Sequence, residues 1–419
     1  MSFQQGLSGL NATSKSLEII GNNIANANTY GTKVSRAEFA DVYAAALSGG
    51  GASQVGIGVQ LAKVAQQFTQ GNITTTDSSM DLAINGTGFF QVQDGNTVVY
   101  SRNGQFKVDR DGYIVNNQSQ KLMGYPADGT GVIQPGQAAP MQLPSAGINP
   151  APTSEMEIEM NLDSRAATTL PAAGTIDFSD PRTYNNATSL TAFDDKGQDI
   201  ATTLYFQKSA TDTWNVYATA NGASVLFDGG GNPAPISTIT FPSTGGAPLS
   251  PTTPVAFDIP AGINANGADT LAITGLTIDL TGATQYGATF GVTDLKQNGY
   301  APGQLSGIAF EENGVVMARY SNGQSKPAGQ IELATFRNPQ GLQALGGNAW
   351  ASSYASGDPI MGVPSEGNMG VLQSGALEES NVDLTAELVN MITAQRIYQA
   401  NAQTIKTQDQ VLQTLVNLR

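Results

Sequence analysis

The feature that most constrains the fold is a regular spacing of apolar residues at the two ends of the chain. Near the N-terminus, alternating steps of four and three residues connect Phe3, Leu7, Leu10, Ser14, Leu17, Gly21 and Ile24. At the C-terminus, the same steps connect Leu384, Leu388, Met391, Gln395, Tyr398, Ala402, Ile405, Asp409, Leu412 and Val416. Such spacing lines up side chains as in a coiled-coil seam. The sequence therefore predicts an amphipathic helix at each end.

The C-terminal helix is expected to be long. It would run from about residue 384 to about 418 without Gly or Pro, a length of about 52 Å at ~1.5 Å per residue. Just before it stand residue types that commonly cap the N-terminus of a helix: Ser380, Asn381 and Asp383. A single globular domain rarely needs such a helix, so the stripes favour association between copies. A helical hairpin within one chain stays open as the alternative.

We predict that the two stripes form a subunit-assembly site. Gln395 and Asp409 interrupt the C-terminal stripe, and polar seam residues often fix the register or oligomeric state of a coiled coil. A solvent-facing position is the alternative for each. The predicted contact residues are Phe3, Leu7, Leu10, Leu17, Ile24, Leu384, Leu388, Met391, Gln395, Tyr398, Ala402, Ile405, Asp409, Leu412 and Val416.

Between the ends, the pattern changes to that of β-strands. Two short β-prone runs, residues 89–93 and 97–100, flank the turn residues 94–96. Asn-Gly and Asp-Gly pairs are strong hairpin signals, and they recur at residues 103–104, 111–112, 313–314 and 322–323. The predicted fold class is mixed and mainly β. It combines terminal α-helices that form a coiled-coil-like domain with two or more all-β domains nested by insertion.

Composition divides the central region further. Residues 144–152 are rich in Pro and are typical of a linker. The segment 209–294 has no Lys or Arg, but six Asp. The predicted domains are a helical assembly domain (1–30 with 380–419), an irregular connecting region (31–80 with 360–379), a middle β domain (81–150 with 300–359) and an outer inserted β domain (151–299).

The composition also excludes several classes of site. The chain has no Cys and no His, which removes disulfides, cysteine–zinc sites and every catalytic triad that uses His. With 19 Lys and Arg against 34 Asp and Glu, the net charge is −15, and no basic cluster is present for nucleic acid or an anionic membrane. We therefore expect no catalytic residue, cofactor or metal, and a protein that is not an enzyme.

The remaining motifs predict turns and not catalytic or metal-binding sites. The pairs Asp194-Asp195 and Glu311-Glu312 are adjacent residues beside turns, so we interpret them as solvated turn carboxylates and not as a glycosidase pair. Residues 109–112 (DRDG) lack the further ligands of a calcium loop, so we expect a hairpin turn there.

The chain contains no apolar run near ~18 residues, so we expect no transmembrane helix. Its first residues lack a basic segment followed by an apolar one, so we expect no cleaved secretory signal. This pattern fits either a cytoplasmic protein or a protein that is exported by a route that needs no cleaved signal peptide.

Both ends resemble the signatures of the bacterial flagellar rod and hook protein family. The N-terminal signature is carried by residues 8–12 (SGLNA) and 17–31 (LEIIGNNIANANTYG). The C-terminal one is carried by residues 375–384 (GALEESNVDL), 387–396 (ELVNMITAQR) and 401–412 (NAQTIKTQDQVL). Residues 85–90 (NGTGFF), 100–106 (YSRNGQF) and 124–126 (GYP) resemble the middle domain of hook proteins. The chain departs from the family at Gly31-Thr32-Lys33, where relatives usually have Gly-Phe-Lys.

The resemblance implies a structural protein that polymerises into the hook, a flexible tube that works as a universal joint and transmits torque from rod to filament. It also implies homo-polymer contacts, rod proteins at one end, hook–filament junction proteins at the other, and a hook cap and the type III export apparatus during assembly. The location implied is the extracellular flagellum, reached without a cleaved signal peptide.

Two alternatives remain. A distal rod subunit shares both terminal signatures, although rod proteins are usually shorter and lack a large β insertion. A β-rich surface adhesin or enzyme with a helical stalk belongs to a different class. A pair of converging buried titratable groups in the outer domain would favour the enzyme.

Overall fold

The computed structural model describes residues 2–42, 56, 58–144, 146–169 and 175–417; the side chains of residues 2 and 415–417 are not described. The chain folds into two compact units. One comprises residues 1–145, 307–319 and 325–419, and the other comprises residues 146–306 and 320–324.

The predicted terminal helices are present in the first unit. Helix α1 spans Ser2–Ala25 and helix α2 spans Leu384–Asn417. Asp383 caps α2, because its Oδ1 accepts hydrogen bonds from the backbone N–H of Thr385 (2.9 Å) and Ala386 (3.1 Å). The cap confirms the predicted start of this helix.

The strands that follow α1 belong to the same unit. Strands β1 and β2 pair as an antiparallel hairpin in a stretch that the sequence predicted to be irregular. Both strands are largely exposed or half-buried, so they lack the strict apolar alternation that marks a strand in a sequence. The glycines at 49–51 lie outside the described residues. The strands are β1 (Ser35–Val42), β2 (Gly58–Gln66), β3 (Ile73–Thr75), β4 (Leu82–Asn85), β5 (Phe89–Asp94), β6 (Thr97–Ser101), β7 (Lys107–Val108), β8 (Ile114–Val115), β9 (Lys121–Pro126) and β10 (Ala139–Pro140).

The inserted unit is an all-β body. Its strand β11 alternates strictly, with Met156, Ile158, Met160 and Leu162 buried, and these residues pack in one core with Trp214 and Phe206. The strands are β11 (Glu155–Asp163), β12 (Asn186–Phe193), β13 (Asp199–Ala210), β14 (Thr213–Ala220), β15 (Ala223–Ser224), β16 (Ser237–Thr240), β17 (Val255–Ile259), β18 (Gly262–Ile263), β19 (Asp269–Thr270), β20 (Ile273–Asp279), β21 (Thr284–Tyr286) and β22 (Gly291–Gln297).

The chain then completes the sheet of the first unit, whose main path has the order β23-β24-β25-β9-β5-β6-β28-β27. The hairpin predicted at residues 89–100 is confirmed, since β5 and β6 pair with Asp94 opposite Thr97. The last strands are β23 (Leu305–Phe310), β24 (Val315–Tyr320), β25 (Ser325–Ile331), β26 (Leu333–Thr335), β27 (Gln343–Gly346), β28 (Ala349–Ala351), β29 (Ile360–Gly362), β30 (Val371–Ser374) and β31 (Ala376–Glu378).

Two apolar clusters support this sheet. The first cluster includes Phe90, Val92, Leu122 and Leu333. The second cluster is mainly aromatic and includes Phe89, Tyr100, Phe336 and Trp350, with Phe68 packed against them. Successive residues of β5 supply the two clusters in turn, because neighbouring side chains on a strand point to opposite faces.

One turn type recurs in both units. At Asp109, Asp128, Asp194 and Asp228, the side-chain Oδ1 accepts N–H groups two and four residues later, and a glycine with positive φ follows at the third position. The turn predicted at residues 109–112 is one of these. The solvated reading of Asp194 was wrong, since Asp194 is buried and its Oδ2 also accepts the N–H of Leu271 at 2.7 Å. Asp195, Glu311 and Glu312 are exposed.

Neither described helix combines the length and the apolar character that crossing a membrane would require. Within the described ranges, no group of three or more acidic side chains is placed to hold a metal ion.

Candidate assembly surface on the terminal helices

Helices α1 and α2 lie antiparallel, and small residues bring them close. A Cβ on Gly6 would lie 3.0 Å from Cγ1 of Ile405, and a Cβ on Gly9 would lie 2.9 Å from Nδ2 of Asn401. At the opposite end, Ile20 of α1 lines a groove together with Glu387 of α2. Glycine therefore sets a short distance between the two backbones.

The side of α2 that faces α1 follows its own stripe. The less exposed residues of this helix are spaced three, four or seven positions apart: Glu387, Met391, Ala394, Asn401, Ile405 and Gln408, together with Ala402. Because Asn401 and Ile405 meet the glycines of α1, this stripe forms the contact within the chain. It is rotated from the predicted stripe and shares only Met391, Ala402 and Ile405 with it.

The predicted contact residues fall into three groups. Phe3, Leu7, Leu384, Leu388, Gln395, Tyr398, Asp409 and Leu412 are exposed. Leu10, Leu17, Ile24, Met391, Ala402 and Ile405 are half-buried. Val416 lies in α2, but its side chain is outside the described residues. The single chain thus leaves about half of the predicted contact residues exposed. That these residues contact other subunits stays a prediction.

The exposed side of α2 carries more apolar residues than the stripe identified. Val389 is 58% exposed and Ile392 is 52% exposed, beside Leu388 at 49%. Together with Leu384 they form an apolar patch on the first half of the helix, which we call the α2 patch (Leu384, Leu388, Val389 and Ile392). Val389 and Ile392 each lie one position after a residue of the predicted stripe, so a search for a second stripe shifted by one residue would have identified them in the sequence. Soluble proteins usually cover such patches with a partner.

The polar positions in the predicted stripe face outward in the chain. Gln395 is exposed, and Asp409 accepts a hydrogen bond from Nε2 of Gln413 at 3.0 Å, one turn further along the helix. Neither residue contacts α1 through a hydrogen bond in the described structure.

Polar side chains attach α1 to the hairpin β1–β2. Oγ of Ser8 donates to the carbonyl of Val59 and accepts the N–H of the same residue. Asn23, which is buried, forms a two-way pair with the backbone of Ser35: Nδ2 donates to the carbonyl and Oδ1 accepts the N–H at 3.0 Å. Sequence reasoning missed both residues, because a polar side chain on an amphipathic helix usually faces solvent.

Two buried carboxyl groups, Glu332 in the first unit and Asp194 in the inserted unit, are hydrogen-bonded to their surroundings. Burial raises the pKa of Glu332, although a hydrogen bond from the hydroxyl of Tyr125 (2.6 Å) opposes this shift. Burial and the same carboxyl group raise the pKa of Tyr125 to about 12. In the inserted unit, the buried Asp194 is occupied by three backbone N–H groups. These hydrogen bonds give the buried Asp194 a structural role in its turn.

Comparison with family models matches the chain in four segments. Residues 3–33 match the "Flagella basal body rod protein" family and residues 373–418 match the "Flagellar basal body rod FlgEFG protein C-terminal" family. Residues 83–167 match the "Flagellar hook protein FlgE/F/G D1 domain", and residues 161–300 match the "Flagellar basal body protein FlaE D2 domain".

Curated relatives match over the whole length. The chain is 40% identical to the flagellar hook protein FlgE of Salmonella typhimurium over 440 residues, with 100% of both chains covered. The chain belongs to the flagellar hook protein family. The hook protein of Escherichia coli is also 40% identical, and that of Borreliella burgdorferi is 30% identical over 446 residues, with 100% of this chain and 99% of the relative covered.

A solved structure supports the fold. The crystal structure of the Helicobacter pylori flagellar hook protein FlgE2 aligns with a TM-score of 0.51 at 15% identity, covering 73% of this chain and 100% of that one. Membership of the hook protein family confirms the resemblance seen at both ends and makes this chain a structural protein of the bacterial flagellum.

Proposed function

We propose that this hook-family chain polymerises through its two terminal helices into the hook, a flexible tube that transmits torque from the rod to the filament. The observation that carries the proposal is the uncovered apolar surface of these helices. The α2 patch and the exposed Phe3 and Leu7 have no cover within the described chain. Burying such side chains against a neighbour contributes about 25 cal/mol per Å² of apolar surface.

The partners and the location are part of the same proposal. A tube subunit meets other copies of itself along its length, rod proteins at the proximal end and hook–filament junction proteins at the distal end. A hook cap and the flagellar export apparatus act during assembly, and the chain leaves the cell without a cleaved signal peptide. The absence of Cys suits passage of an unfolded chain, since no disulfide can form on the way.

A distal rod subunit is the nearer alternative, because the rod families match both ends. The match of residues 161–300 to the D2 domain favours the hook, as does the full-length similarity to hook proteins. We infer that the inserted unit is peripheral in the tube and that the helices are central.

Removing residues 384–419 tests the proposal. The truncated chain should remain a soluble monomer with the β circular dichroism of its folded units, and it should form no tubes in electron micrographs. The matched control replaces residues 152–299 by a short Gly-Ser bridge, which should preserve tube formation. Tubes from the chain without α2 would overturn the proposal, and loss of assembly only in the bridged chain would reverse the assigned roles.

A further inference from the structure

Three charged side chains meet inside the first unit, at the roots of both helices. Lys33 follows α1, Glu378 ends β31 just before α2, and Arg102 follows β6; they are 2%, 1% and 5% exposed. Oε1 of Glu378 accepts from Nζ of Lys33 at 2.5 Å, and Oε2 accepts from Nη1 of Arg102 at 3.2 Å. We call these three residues the root cluster.

Backbone groups complete the surroundings of the root cluster. Nζ of Lys33 also donates to the carbonyl of Thr69 at 2.8 Å, and Nη2 of Arg102 donates to the carbonyl of Gly86 at 2.9 Å. The guanidinium lies over the ring of Phe89, 5.3 Å from its centre. Burial lowers the pKa of Lys33 and of Arg102, while Glu378 raises the pKa of each. Two buried cations therefore share one carboxylate.

Such a buried group of charges contributes little net free energy to folding stability. Removing charges from water costs several kcal/mol per ion, and apolar residues of similar volume often stabilise a core as well or better. Nε of Arg102 also lacks a hydrogen-bond partner in the described structure. Buried ionic groups are better suited to specify one geometry, which has been shown for some proteins.

Glu378 connects the segments that leave the two helices. Its backbone carbonyl accepts the N–H of Gly31 at 2.9 Å, and its Oε1 accepts the N–H of Gly71 at 2.9 Å. Three residues later, Oδ1 of Asn381 accepts the N–H of Val34 at 2.7 Å. These hydrogen bonds join the segment that follows α1 to the segment that precedes α2. About 345 positions separate the two segments in the sequence.

Glycines make this junction tight. A Cβ on Gly31 would lie 2.6 Å from the backbone nitrogen of Asn103, and a Cβ on Gly71 would lie 2.0 Å from the carbonyl oxygen of Glu379. Gly31 also has φ +72, which other residues rarely adopt. The backbone segments therefore touch directly, and a small displacement of either root would separate them.

We propose that Glu378 is a positioning residue for assembly: through Lys33 and Arg102 it fixes the directions in which both terminal helices leave the sheet of the first unit, so that their apolar surfaces meet neighbouring subunits in one geometry. This inference rests on the proposed function. It adds that the charges of the root cluster select the geometry and that their contribution to net stability is secondary.

The first test is Glu378→Asp, which keeps the charge but shortens the side chain by one methylene. The carboxylate should no longer reach Lys33, Arg102 and Gly71 together. We expect a thermal midpoint within roughly 5 °C of the parent. Hydrogen exchange at the amides of Gly31 and Val34 in the monomer should accelerate by roughly ten-fold or more, and electron micrographs should show no tubes or tubes of altered diameter.

The second test is the triple substitution Lys33→Met, Arg102→Met and Glu378→Met, which removes every charge of the root cluster and retains apolar volume. We expect a thermal midpoint equal to or above that of the parent, together with faster exchange at Gly31 and Val34 and abnormal tubes. The matched control is Asp180→Asn, which removes a carboxylate beside Arg182 in an exposed turn and should leave all three measurements unchanged.

Parental tubes and parental amide exchange from Glu378→Asp would overturn the inference, even if the triple variant fails to fold. A triple variant with parental tubes would also overturn it, because the charges would then contribute only to stability. Failure of the proposed function is distinguishable, since in that case the parent chain itself forms no tubes.

Discussion

The terminal helices and the inserted β unit use apolar residues in opposite ways. The inserted unit seals a core of Met, Ile, Leu, Phe and Trp side chains, with Trp214 and Phe206 at 0% exposure. Among the described side chains of the two helices, Ala394 is the one apolar residue, glycine aside, that is buried. Leu384, Leu388, Val389 and Ile392 remain in solvent. The β unit therefore buries an apolar core of its own, whereas the helices present an apolar surface that no other described part of the chain covers.

The comparison separates folding from assembly. Substitutions in the β core should change the free energy of unfolding of the monomer, and substitutions on the outer side of the helices should change association while leaving the monomer nearly intact.

The largest effect is expected from Leu388→Asp. In the monomer Leu388 is 49% exposed, so the free energy of unfolding should change by only about 0.5 kcal/mol or less. In a tube, the same carboxylate would be buried without a partner at a cost of several kcal/mol per subunit. Purified protein should stay monomeric, and cells that carry the variant should lack hooks in electron micrographs and be non-motile.

The control for charge is Thr404→Asp, which adds the same carboxylate on the same exposed helix, about 160° around from Leu388. It should assemble at or near the parental level. Normal tubes from Leu388→Asp would contradict the assignment of the α2 patch to subunit contacts.

The second prediction concerns the β core. Trp214→Ala should lower the free energy of unfolding of the inserted unit by about 3–5 kcal/mol, because it leaves a cavity and removes the hydrogen bond from Nε1 to Oε1 of Gln285. Urea denaturation measures this loss. Phe227→Ala, a change at a 55% exposed aromatic residue of the same unit, should cost much less. Equal costs would mean that the core of this unit is not the source of its stability.

The third prediction tests the close approach of the two helices. Gly9→Leu should separate α1 from α2 and destabilise the pair by about 1–3 kcal/mol, since a Cβ there already meets the side chain of Asn401. Helical circular dichroism on heating measures the effect. Gly21→Leu is the matched control on the same helix, because a Cβ on Gly21 has no atom within 4 Å. It should leave the helix unchanged or slightly more stable, as leucine favours helix over glycine.

The smallest effect is expected from Glu332 in the sheet region of the first unit. Its pKa is raised in the folded state by burial, so the folded chain binds this proton more tightly than the unfolded chain. The corresponding stability is fully present below the ordinary glutamate pKa of 4.5 and is lost as pH rises through the raised folded pKa. Glu332→Gln should flatten this part of the pH profile of the thermal midpoint.

Glu311→Gln, a change at an exposed turn carboxylate, is the control for Glu332 and should keep the parental profile. If Glu332→Gln left the slope between acidic and neutral pH unchanged, the buried carboxyl group would not be its source.

The elements that the sequence identified correctly depend on local chemistry. The spacing of apolar residues predicted both helices, Asp383 supplied the cap of α2, and Asp94-Gly95-Asn96 marked the hairpin β5–β6. Each signal lies within a few residues of the structure that it specifies, because helix periodicity, caps and turns are set by neighbouring backbone groups.

The tertiary structure decided the rest through contacts between distant residues. Helix periodicity shows that α2 has an apolar side, but the inward stripe is the one whose Ile405 and Asn401 lie against Gly6 and Gly9 of α1, where a Cβ would crowd them. Asp194 looks like any turn carboxylate until the amide of Leu271 meets it. Lys33 and Glu378 become one buried pair only when residues 345 positions apart are brought together. Local sequence determines which elements form, and the space between them, which depends on the whole chain, determines what each side chain meets.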